Sequence, residues 1–529
     1  MTVGLKRSIE ASPPHSPTLE PRDAKEEEWQ LFQATQASLA VFPCPVCGHS
    51  FAQVDIDRHV NACLDQPGPS ADRASTRKDE MLHENSPKSC GTRGSPSALT
   101  SAWAALLPGR QKQPASRTGR VPFYKILEGM PLAVDAFRYG AIDGCEGYFL
   151  THFHSDHYAG LSSRWKHGLI YCSEETARLV RKRLKVDPSW LRPLPMNLPQ
   201  LIPRSGGVSV TCIDANHCPG ACLFLFEGPR TVHVYGNHAP GRIVRYLHCG
   251  DFRACPAQTA HPALQRPVDI VYLDTTYLHP RYNFPAQAQV IQACSAMLLN
   301  RAPSTTLSDF WRGRSEPEAF EQLVLVGTYS LGKERLVKQL AQSLQTSIFC
   351  AHASRHETLL ELDDPELQGM LTRNPQEARV HVVSLHWISF ESVSSYVQTL
   401  QQQGMRITRT TAFRPTGWTF QRSTGSAPTP SRNVGALMQA IRPPEFTLAS
   451  LVCAASSTAS LRLVNVPYSE HSSFYELMAF LLTLHPQRVI PTVNVGSALN
   501  RTRMNAWLDI CLHASREQRS VQPRCPDYW

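Results

Sequence analysis

From residue 122 onward, short apolar runs alternate with longer amphipathic stretches, a pattern that predicts an α/β fold. Each apolar run is rich in β-branched or aromatic residues, as expected of a strand. The clearest candidate strands cover residues 149–153, 169–172, 208–213, 222–226, 246–249, 270–273, 323–327 and 347–350. One of the intervening helices should begin after Ser173, with Glu174 and Glu175 in its first turn. Because polar residues directly follow several of these strands, ligand-capable side chains should gather at one edge of the layered fold.

The first 118 residues lack this alternation. Residues 1–40 combine Ser-Pro pairs with an acidic run, and residues 67–118 consist mainly of Ser, Pro, Gly and charged residues. Such compositions bury too little apolar surface to fold. We therefore predict a disordered tail over residues 1–40 and a flexible linker over residues 67–118.

Residues 41–66, between the tail and the linker, contain a metal-ligand pattern. Cys44 and Cys47 form a Cys-x2-Cys pair, and His59 and Cys63 lie four residues apart on one face of a predicted helix. Two such pairs can close a tetrahedral zinc site that has no open position. So small a unit needs the metal in order to fold, and we predict one structural zinc ion. A redox Cys-x-x-Cys is the alternative, but it would not need the second pair.

Length and composition limit the classes of protein to consider. The chain has 529 residues, enough for two or three domains. A net charge of +9 permits a polyanionic partner without requiring one. The Cys count of 16, without a secretory signal, indicates reduced thiols in an intracellular protein. Since no apolar run approaches the ~20 residues that span a bilayer, we expect a soluble protein with no membrane partner.

The strongest candidate site lies within residues 147–160. His152 and His154 occupy alternate positions of a predicted strand and therefore share a face. The chain then turns, which brings Asp156 and His157 back over the end of that strand. Three imidazoles and a carboxylate in so short a run are typical ligands of zinc or another first-row divalent metal. A turn with solvated polar residues is the alternative.

Four separated motifs indicate a family. They are His-x-His-x-Asp-His at 152–157, Asp-Ala-Asn-His-Cys-Pro-Gly at 214–220, Gly-Asp-Phe-Arg at 250–253 and Pro-Tyr-Ser-Glu-His-Ser-Ser at 467–473. In this order they resemble the DNA cross-link repair nucleases of the β-CASP branch of the metallo-β-lactamase family. The resemblance implies an αββα sandwich over residues 119–284 and 461–529, the latter ending in a C-terminal tail. It also implies an inserted β-CASP cap domain over residues 285–460.

The resemblance also assigns the metal ligands. They are His152, His154 and His217 for a first zinc ion, Asp156, His157 and His471 for a second, and Asp251 as the bridge. Asp135 would support the ligands from behind. Paired ions ~3.5–4 Å apart suit phosphodiester hydrolysis, since they activate the attacking water and neutralise the anionic transition state. Catalysis would then depend on Asp135, Asp156, His157, Asp251 and His471, with one or two zinc ions bound.

Two further positions bear on substrate binding through the same resemblance. Asp274 matches a carboxylate of the family's first cap-domain motif and would orient the ligands, unless it only caps the turn that follows it. Val493 occupies the last cap-domain motif, where RNA-cleaving members usually have His. This residue therefore favours DNA over RNA.

The remaining candidates are contacts to phosphate and base. Ser330 and Lys333 lie between a strand and a helix N-terminus, where backbone N–H groups can hold a phosphate. A plain strand–helix turn is the alternative. Arg414 could bind a terminal phosphate and Trp418 could stack on a base, but a core Trp beside a solvated Arg would give the same pattern.

These inferences together predict a two-metal DNA phosphodiester hydrolase. The resemblance implies a nuclear, monomeric 5′-to-3′ exonuclease that acts on 5′-phosphorylated DNA ends in the repair of interstrand cross-links. A β-CASP RNA endonuclease, a small-molecule metallo-hydrolase and an inactive scaffold are the alternatives.

The segment over residues 41–66 is similar to the UBZ-type ubiquitin-binding zinc fingers of some DNA-repair proteins. Ubiquitin or ubiquitinated repair proteins are therefore its expected partners, although Asn61 stands where those fingers carry an acidic residue. Nucleic-acid binding is the alternative role, but the acidic side chains of the predicted helix make a poor phosphate surface.

Overall fold

A computed structural model of the chain describes residues 41–43, 50–52, 121–232, 242–299, 322–417, 428–514 and 521–529. The chain divides into two compact units, residues 1–88 and residues 89–529. In the first unit, strands β1 (Val41–Pro43) and β2 (Ser50–Ala52) pair in antiparallel fashion. The predicted finger ligands Cys44, Cys47, His59 and Cys63 lie outside the described residues, as do the tail and the linker.

Two sheets form the centre of the second unit. The first is a parallel sheet whose strands follow chain order: β3 (Leu132–Val134), β4 (Gly147–Phe149), β5 (Ile170–Ser173) and β6 (Leu191–Leu194). The second is a mixed sheet built from β7 (Gln200–Leu201), β8 (Ser209–Asp214), β9 (Cys222–Pro229), β10 (Ile243–His248), β11 (Ile270–Leu273) and β19 (Arg488–Pro491). Its spatial order is β19-β11-β10-β9-β8-β7.

Aromatic side chains join the facing surfaces of these two sheets. The ring of Phe149 in β4 lies 5.3 Å from the ring of Phe224 and 4.8 Å from that of Phe226, both in β9. Tyr171 stacks on Phe149 at 5.0 Å from the other side. This apolar layer holds the two sheets face to face, so the polar ends of both sets of strands reach the same rim.

Eleven helices are described: α1 (Glu174–Leu184), α2 (Pro256–Thr259), α3 (Gln287–Leu299), α4 (Glu334–Ser343), α5 (Ala353–Leu359), α6 (Pro365–Met370), α7 (Phe390–Gln402), α8 (Val434–Ile441), α9 (Leu448–Val452), α10 (Phe474–Leu484) and α11 (Ala498–His513). Single 3-10 turns cover Phe123–Lys125, Phe137–Tyr139, Pro188–Trp190, Pro262–Leu264, Pro375–Glu377 and Leu385–Trp387. Helix α1 packs on β5 and β6, and α10 packs on α2 and α11. Ser173 caps α1 by accepting the Thr176 N–H at 3.2 Å, which confirms the predicted start of that helix. The result is the αββα sandwich predicted from the sequence.

A third sheet lies in the chain segment between the two halves of the sandwich. Its strands are β12 (Gln322–Thr328), β13 (Ser347–Cys350), β14 (Leu371–Thr372), β15 (Ala378–Ser384), β16 (Arg409–Pro415), β17 (Ala455–Ser457) and β18 (Leu461–Val466). Their spatial order is β14-β13-β15-β12-β16-β18-β17, and every pair is parallel except β17 with β18. We call this sheet with its helices the cap.

One strand bears on the predicted boundary between the cap and the returning sandwich. The boundary predicted at residue 460 falls just before β18, which pairs with β16 of the cap sheet. The cap therefore extends to Val466. At the C-terminal end, Trp529 is only 1% exposed and the N–H of Ala257 donates to the Pro526 carbonyl.

Two local predictions were wrong for identifiable reasons. The strand predicted over residues 149–153 ends at Phe149, because the Thr151 N–H donates to the Asp135 carboxylate at 2.9 Å rather than to a neighbouring strand. The Ser-, Thr-, Pro- and Gly-rich composition of residues 417–442 predicts a mobile loop, but these residues include helix α8. Asn433 caps this helix through the Ala436 N–H, a local signal that the surrounding Ser-, Thr- and Pro-rich composition hides.

A buried ion pair connects the two halves of the sandwich. The Arg253 guanidinium donates to Glu476 Oε1 at 2.9 Å, and to the carbonyls of Ser469 at 2.6 Å and Pro285 at 2.9 Å. Glu476 also closes a capping box with Ser473 at the start of α10. Both charged side chains are almost fully buried, so each neutralises the other where water cannot.

We predict that Glu476→Ala destabilises the fold strongly. It would leave the Arg253 charge buried and unpaired, which costs roughly 3–5 kcal/mol in free energy of unfolding. Chemical denaturation of the variant and the parent protein measures this difference. As a control, Glu366→Ala removes an exposed carboxylate that forms an ion pair with Lys338. This variant should leave the denaturation midpoint close to that of the parent. Equal midpoints for all three proteins would contradict the role given to the buried pair.

Candidate metal centre

The loop that follows β4 carries the first group of candidate ligands. The Cys222 N–H at the start of β9 donates to the Thr151 carbonyl at 3.1 Å, which fastens this loop to the second sheet. A turn then forms as the N–H of His157 donates to the carbonyl of His154 at 3.1 Å. The side chain of His152 is fully buried, whereas that of Asp156 is 76% exposed. The loop therefore points ligand-capable groups both into the sandwich and toward its rim.

Three imidazoles meet at the base of this rim. His152 Nε2 lies 2.8 Å from His154 Nδ1, which lies 3.2 Å from His217 Nε2. His217 comes from the loop between β8 and β9, where Asn216 adopts a left-handed φ of 53° and its side chain donates to the Arg253 carbonyl. The sequence pattern at 214–220 thus reaches the cluster from the opposite sheet.

The hydrogen-bond partners of the outer nitrogens show which nitrogen of each ring carries the proton. His154 Nε2 donates to the Leu331 carbonyl at 3.1 Å, and His217 Nδ1 donates to the Glu470 carbonyl at 2.8 Å. The Thr151 hydroxyl donates to Asp135, so it accepts from His152 Nδ1 at 3.0 Å. A neutral imidazole holds one proton, and the inward nitrogens are therefore bare lone pairs. Lone pairs at this separation repel one another, and a cation between them satisfies all three.

The pKa values agree with a neutral trio. Burial, followed by the neighbouring imidazoles, holds the pKa of His152 well below its ordinary value. Burial and then His217 lower the pKa of His154 to about 3, and burial and then His471 lower that of His217 to about 4. Neutral imidazole is the form that binds a metal, so this trio is ready for one at neutral pH.

Asp251 links this trio to the other candidate ligands. Its Oδ2 lies 3.7 Å from His152 Nε2, 3.3 Å from His157 Nε2 and 3.8 Å from His471 Nε2. It follows β10, and Gly250 before it has a left-handed φ of 56° with no room for a Cβ against the Thr151 side chain. The geometry makes Asp251 the central carboxylate of the site.

His157 lies on the outer side of Asp251. Its Nδ1 donates to Asp135 Oδ2 at 2.7 Å, which turns its Nε2 toward Asp251 and toward Asp156 Oδ2 at 3.5 Å. Asp135 itself follows β3 with a left-handed φ of 51°, and its carboxylate also accepts from the Thr151 N–H and hydroxyl. Asp135 therefore orients His157 and the ligand loop at once, although it does not face the centre.

His471 reaches the site from the loop before α10. Its Nδ1 donates to Asp274 Oδ2 at 2.8 Å, and its ring lies 4.9 Å from that of His217. The other carboxylate oxygen of Asp274 accepts from the N–H and the hydroxyl of Thr276. Asp274 is buried and both of its oxygens have partners, so it holds His471 in place and also caps the turn after β11.

The two outer imidazoles have the opposite protonation tendency. Burial alone would lower the pKa of His471, but Asp274 and then Asp251 outweigh it and raise the pKa to about 9. Asp251 and Asp135 likewise outweigh burial and raise the pKa of His157 well above its ordinary value. In turn, His157 and His471 overcome the effect of burial and hold the pKa of Asp251 well below its usual range. Without a metal, protons supply the positive charge that this carboxylate requires.

The ligand-capable atoms form three overlapping groups. Within each group they lie within 4.8 Å of one another, and the groups are His152, His154, His217 with Asp251; Asp156, His157 with Asp251; and Asp274, His471 with Asp251. Asp251 belongs to all three. Histidine nitrogens and carboxylate oxygens in this proportion suit zinc and similar divalent ions. The residues present therefore fit a binuclear metal centre.

Of the candidate phosphate contacts Ser330 and Lys333, only Ser330 is exposed. The N–H groups of Gly332 and Lys333 already donate to carboxylates, at 2.8 Å to Glu334 and at 2.5 Å to Glu470. The Lys333 side chain is only 7% exposed, with its ammonium 4.0 Å from Glu470. These two amides and this ammonium are therefore engaged within the protein rather than open to a phosphate.

The remaining candidates are Arg414, Trp418 and Val493. Arg414 is half-buried in β16, and Trp418 lies outside the described residues. Gly417, between them, sits against the Tyr277 hydroxyl, and the Tyr277 ring lies 6.0 Å from that of His471. Val493 pairs with Thr275, whose hydroxyl donates to its carbonyl at 2.6 Å. The structure thus brings residues 417 and 493 near the Asp274–His471 side of the site.

Sequence reasoning missed several groups that shape this site. Glu470 was part of a recognised motif but received no role, and Leu331 contributes only a backbone carbonyl, for which no side-chain signal exists. Thr151 precedes the first ligand and could have been noticed as a donor within the run. Tyr277 is an aromatic residue three positions after Asp274, and its ring contact with His471 depends entirely on tertiary packing.

Two family models match this chain. A family model described as "DNA repair metallo-beta-lactamase" matches residues 365–497, and one described as "Beta-lactamase superfamily domain" matches residues 134–306. Among the described residues, no helix is both long and apolar enough to cross a membrane.

Three curated relatives illustrate the similarity. The "DNA cross-link repair protein pso2/snm1" of Schizosaccharomyces pombe is 39% identical over 475 residues, which cover 88% of this chain and 77% of the relative. The "DNA cross-link repair protein SNM1" of Arabidopsis thaliana is 38% identical over 73% of this chain and 70% of its own length. The "5' exonuclease Apollo" of Gallus gallus is 34% identical over 70% of this chain and 63% of its own length.

We predict that zinc binding by the metal-free protein releases protons and tightens as pH rises toward about 9, the pKa of His471. A metal must displace the protons on His157 and His471, and each displaced proton contributes roughly a tenfold gain in affinity per pH unit below its pKa. Calorimetric titration in buffers of different ionisation enthalpy measures the protons released. Asp274→Asn, which removes the main carboxylate that raises the His471 pKa, should flatten the pH dependence. Binding with no proton release near pH 7 would contradict the assigned protonation states.

Proposed function

This chain belongs to the DNA cross-link repair family of metallo-β-lactamase proteins, and we propose that it is a nuclear, zinc-dependent DNA nuclease. Its reaction would be 5′-to-3′ exonucleolytic hydrolysis of phosphodiester bonds in the repair of interstrand cross-links. The observation that carries this proposal is the convergence of separated side chains on the Asp251 carboxylate, which lies within 3.8 Å of three imidazole nitrogens from two loops, one in each half of the sandwich. A binuclear site of this kind suits the attack of water on an anionic ester.

The proposed ligands divide around Asp251. His152, His154 and His217 would hold one ion through the nitrogens that face one another. Asp156 and His157 would hold a second, joined by His471 through the nitrogen that faces Asp251. When bound, such ions lower the pKa of water to near neutrality and neutralise charge on the phosphoryl oxygens.

The chain's own residues would orient the metal-binding imidazoles and contact the substrate. Asp135 and Asp274 fix the outer imidazoles through hydrogen bonds of 2.7 and 2.8 Å, so that neither ring can turn away from the centre. The side chain of His471 is 27% exposed, which leaves it able to meet a substrate at the rim. The exposed Ser330 would also contact the DNA end, with Arg414 and Trp418 as candidate contacts to its 5′ phosphate and terminal base.

The preference for DNA rests on the resemblance at Val493. In RNA-cleaving relatives of the wider group a histidine usually occupies this position, and here the backbone of Val493 pairs with the hydroxyl of Thr275, the residue after Asp274. An apolar side chain cannot provide the polar contacts of an imidazole at that rim. We therefore propose DNA as the substrate, with a 5′-phosphorylated end preferred.

The purified full chain should degrade 5′-phosphorylated single-stranded DNA from its 5′ end, and more slowly when the end carries a hydroxyl. Asp156→Ala and His157→Ala should lower the rate by roughly 100-fold or more, because losing a direct ligand costs at least as much as the 10–100-fold typical of a supporting residue. Gel analysis of end-labelled DNA, hairpin DNA and RNA of matched sequence measures the rates.

As the matched control, Asp143→Ala removes an exposed carboxylate that belongs to none of the three ligand groups and should retain the parent rate. Full activity in Asp156→Ala and His157→Ala would refute the proposed centre. Faster cleavage of RNA than of DNA would refute the proposed substrate.

For residues 41–66, which lie largely outside the described part of the chain, we propose a structural zinc site at Cys44, Cys47, His59 and Cys63. Ubiquitin or a ubiquitinated repair protein would be its partner, as the resemblance to ubiquitin-binding fingers implies. This proposal rests on the ligand spacing and on the resemblance to UBZ-type fingers.

Titration of the zinc-loaded finger with ubiquitin should shift NMR signals of the helix that carries His59. Cys44→Ser should abolish the shifts, because the unit cannot fold without its metal. Single-stranded DNA serves as the competing ligand in the same experiment. If millimolar ubiquitin caused no shift and DNA did, nucleic acid would replace ubiquitin as the partner of this segment.

A further inference from the structure

Two metal-facing histidines of the sandwich donate to backbone carbonyls of neighbouring segments. His154 Nε2 donates to the Leu331 carbonyl, and Leu331 belongs to the cap, between β12 and α4. His217 Nδ1 donates to the Glu470 carbonyl, and Glu470 belongs to the loop that returns to the sandwich after β18. Each ring therefore takes its orientation from a backbone carbonyl of a different segment.

A single buried carboxylate joins those two segments. Glu470 Oε1 accepts the Lys333 N–H at 2.5 Å, and Glu470 Oε2 lies 4.0 Å from the Lys333 ammonium. Glu470, Leu331 and Lys333 are all at least nine-tenths buried. Gly332 has a φ of 106°, and a Cβ at that position would collide with the Glu470 carboxylate. The close approach of the cap loop to this carboxylate therefore requires glycine.

A second set of contacts fixes the cap loop, residues 329–334, from behind. The Arg355 guanidinium donates to the carbonyls of Tyr329 at 2.7 Å and Gly332 at 2.9 Å, and to Glu334 Oε1 at 2.8 Å. The same Glu334 oxygen accepts the Gly332 N–H at 2.8 Å. With both faces of the loop held, the Leu331 carbonyl has a defined position relative to His154.

We infer that Glu470 is a positioning residue: with the cap loop it forms a clamp that fixes the orientation and the tautomers of His154 and His217, so that metal affinity in the sandwich depends on the seating of the cap. The clamp explains why two amides of the cap loop face carboxylates instead of solvent. It also means that a substrate which displaces the cap loop would alter the metal site directly, through two backbone carbonyls. The inference rests on metal binding by this site and not on DNA cleavage.

The test measures zinc affinity in the full chain by competition with a chromogenic zinc chelator. Glu470→Ala should weaken zinc binding by roughly 10–100-fold, the usual effect of removing support behind a metal-bound imidazole. Glu470→Gln keeps an oxygen that accepts the Lys333 N–H and should lie closer to the parent. The visible spectrum of the cobalt-substituted protein should change with Glu470→Ala, because the histidine ligands lose their fixed orientation.

Arg183→Ala is the matched control. Arg183 in α1 bonds to Glu357 and Ser354 of the cap at 2.6 Å each, so its loss removes a contact between sandwich and cap that does not involve the histidines. Zinc affinity and the cobalt spectrum should stay those of the parent. If Glu470→Ala does not yield folded protein, Gly332→Ala carries the test, since its added methyl group displaces the same carboxylate.

Two results would overturn the clamp. The first is unchanged zinc affinity and an unchanged cobalt spectrum in folded Glu470→Ala or Gly332→Ala. The second is an equal loss of affinity in Arg183→Ala, which would indicate general loosening of the cap. A protein that binds zinc with the predicted variant pattern but leaves DNA intact would refute the nuclease proposal and leave the clamp standing.

Discussion

The structure depends on one electrostatic constraint, the concentration of bare imidazole lone pairs and a buried carboxylate in a small volume. The inward nitrogen of His154 lies 2.8 Å from that of His152 and 3.2 Å from that of His217, and Asp251 approaches from the other side. Neither the facing lone pairs nor the buried carboxylate is stable without a neighbouring positive charge. In the metal-free protein the outer imidazoles hold protons for this purpose, and His471 does so with a pKa of about 9. Divalent ions satisfy the same requirement with more charge and in a fixed geometry.

The surrounding fold serves to hold these groups against their mutual repulsion. Each of the five clustered imidazoles has an acceptor behind it: a hydroxyl for His152, backbone carbonyls for His154 and His217, and carboxylates for His157 and His471. The Arg253–Glu476 pair then fastens the loop after Asp251 to the loop that carries His471. Stability and function are therefore linked, since the buried charge that joins the two halves of the sandwich also sets the distance between ligands from each half.

The sequence predicts the parts of this arrangement that recognisable side chains form, and it does not predict the parts that the backbone forms. The run from His152 to His157 is visible because its ligands are close in the chain, and Asp251 and Asp274 are visible because each follows an apolar strand. The early end of β4 is not visible, since it results from the Asp135 carboxylate capturing the Thr151 N–H. The contribution of Leu331 is a carbonyl that any residue could supply, so only the tertiary structure reveals it. Helix α8 was hidden because a single capping residue, Asn433, outweighs the loop-like composition around it.

The most direct measurement of the central claim is anomalous X-ray scattering at the zinc edge from crystals of the full chain grown with zinc. The account predicts two peaks about 3.5–4 Å apart on either side of Asp251, one contacted by His152, His154 and His217 and the other by Asp156, His157 and His471. A single peak away from Asp251, or density for ordered water among the facing imidazoles with no metal, would contradict it.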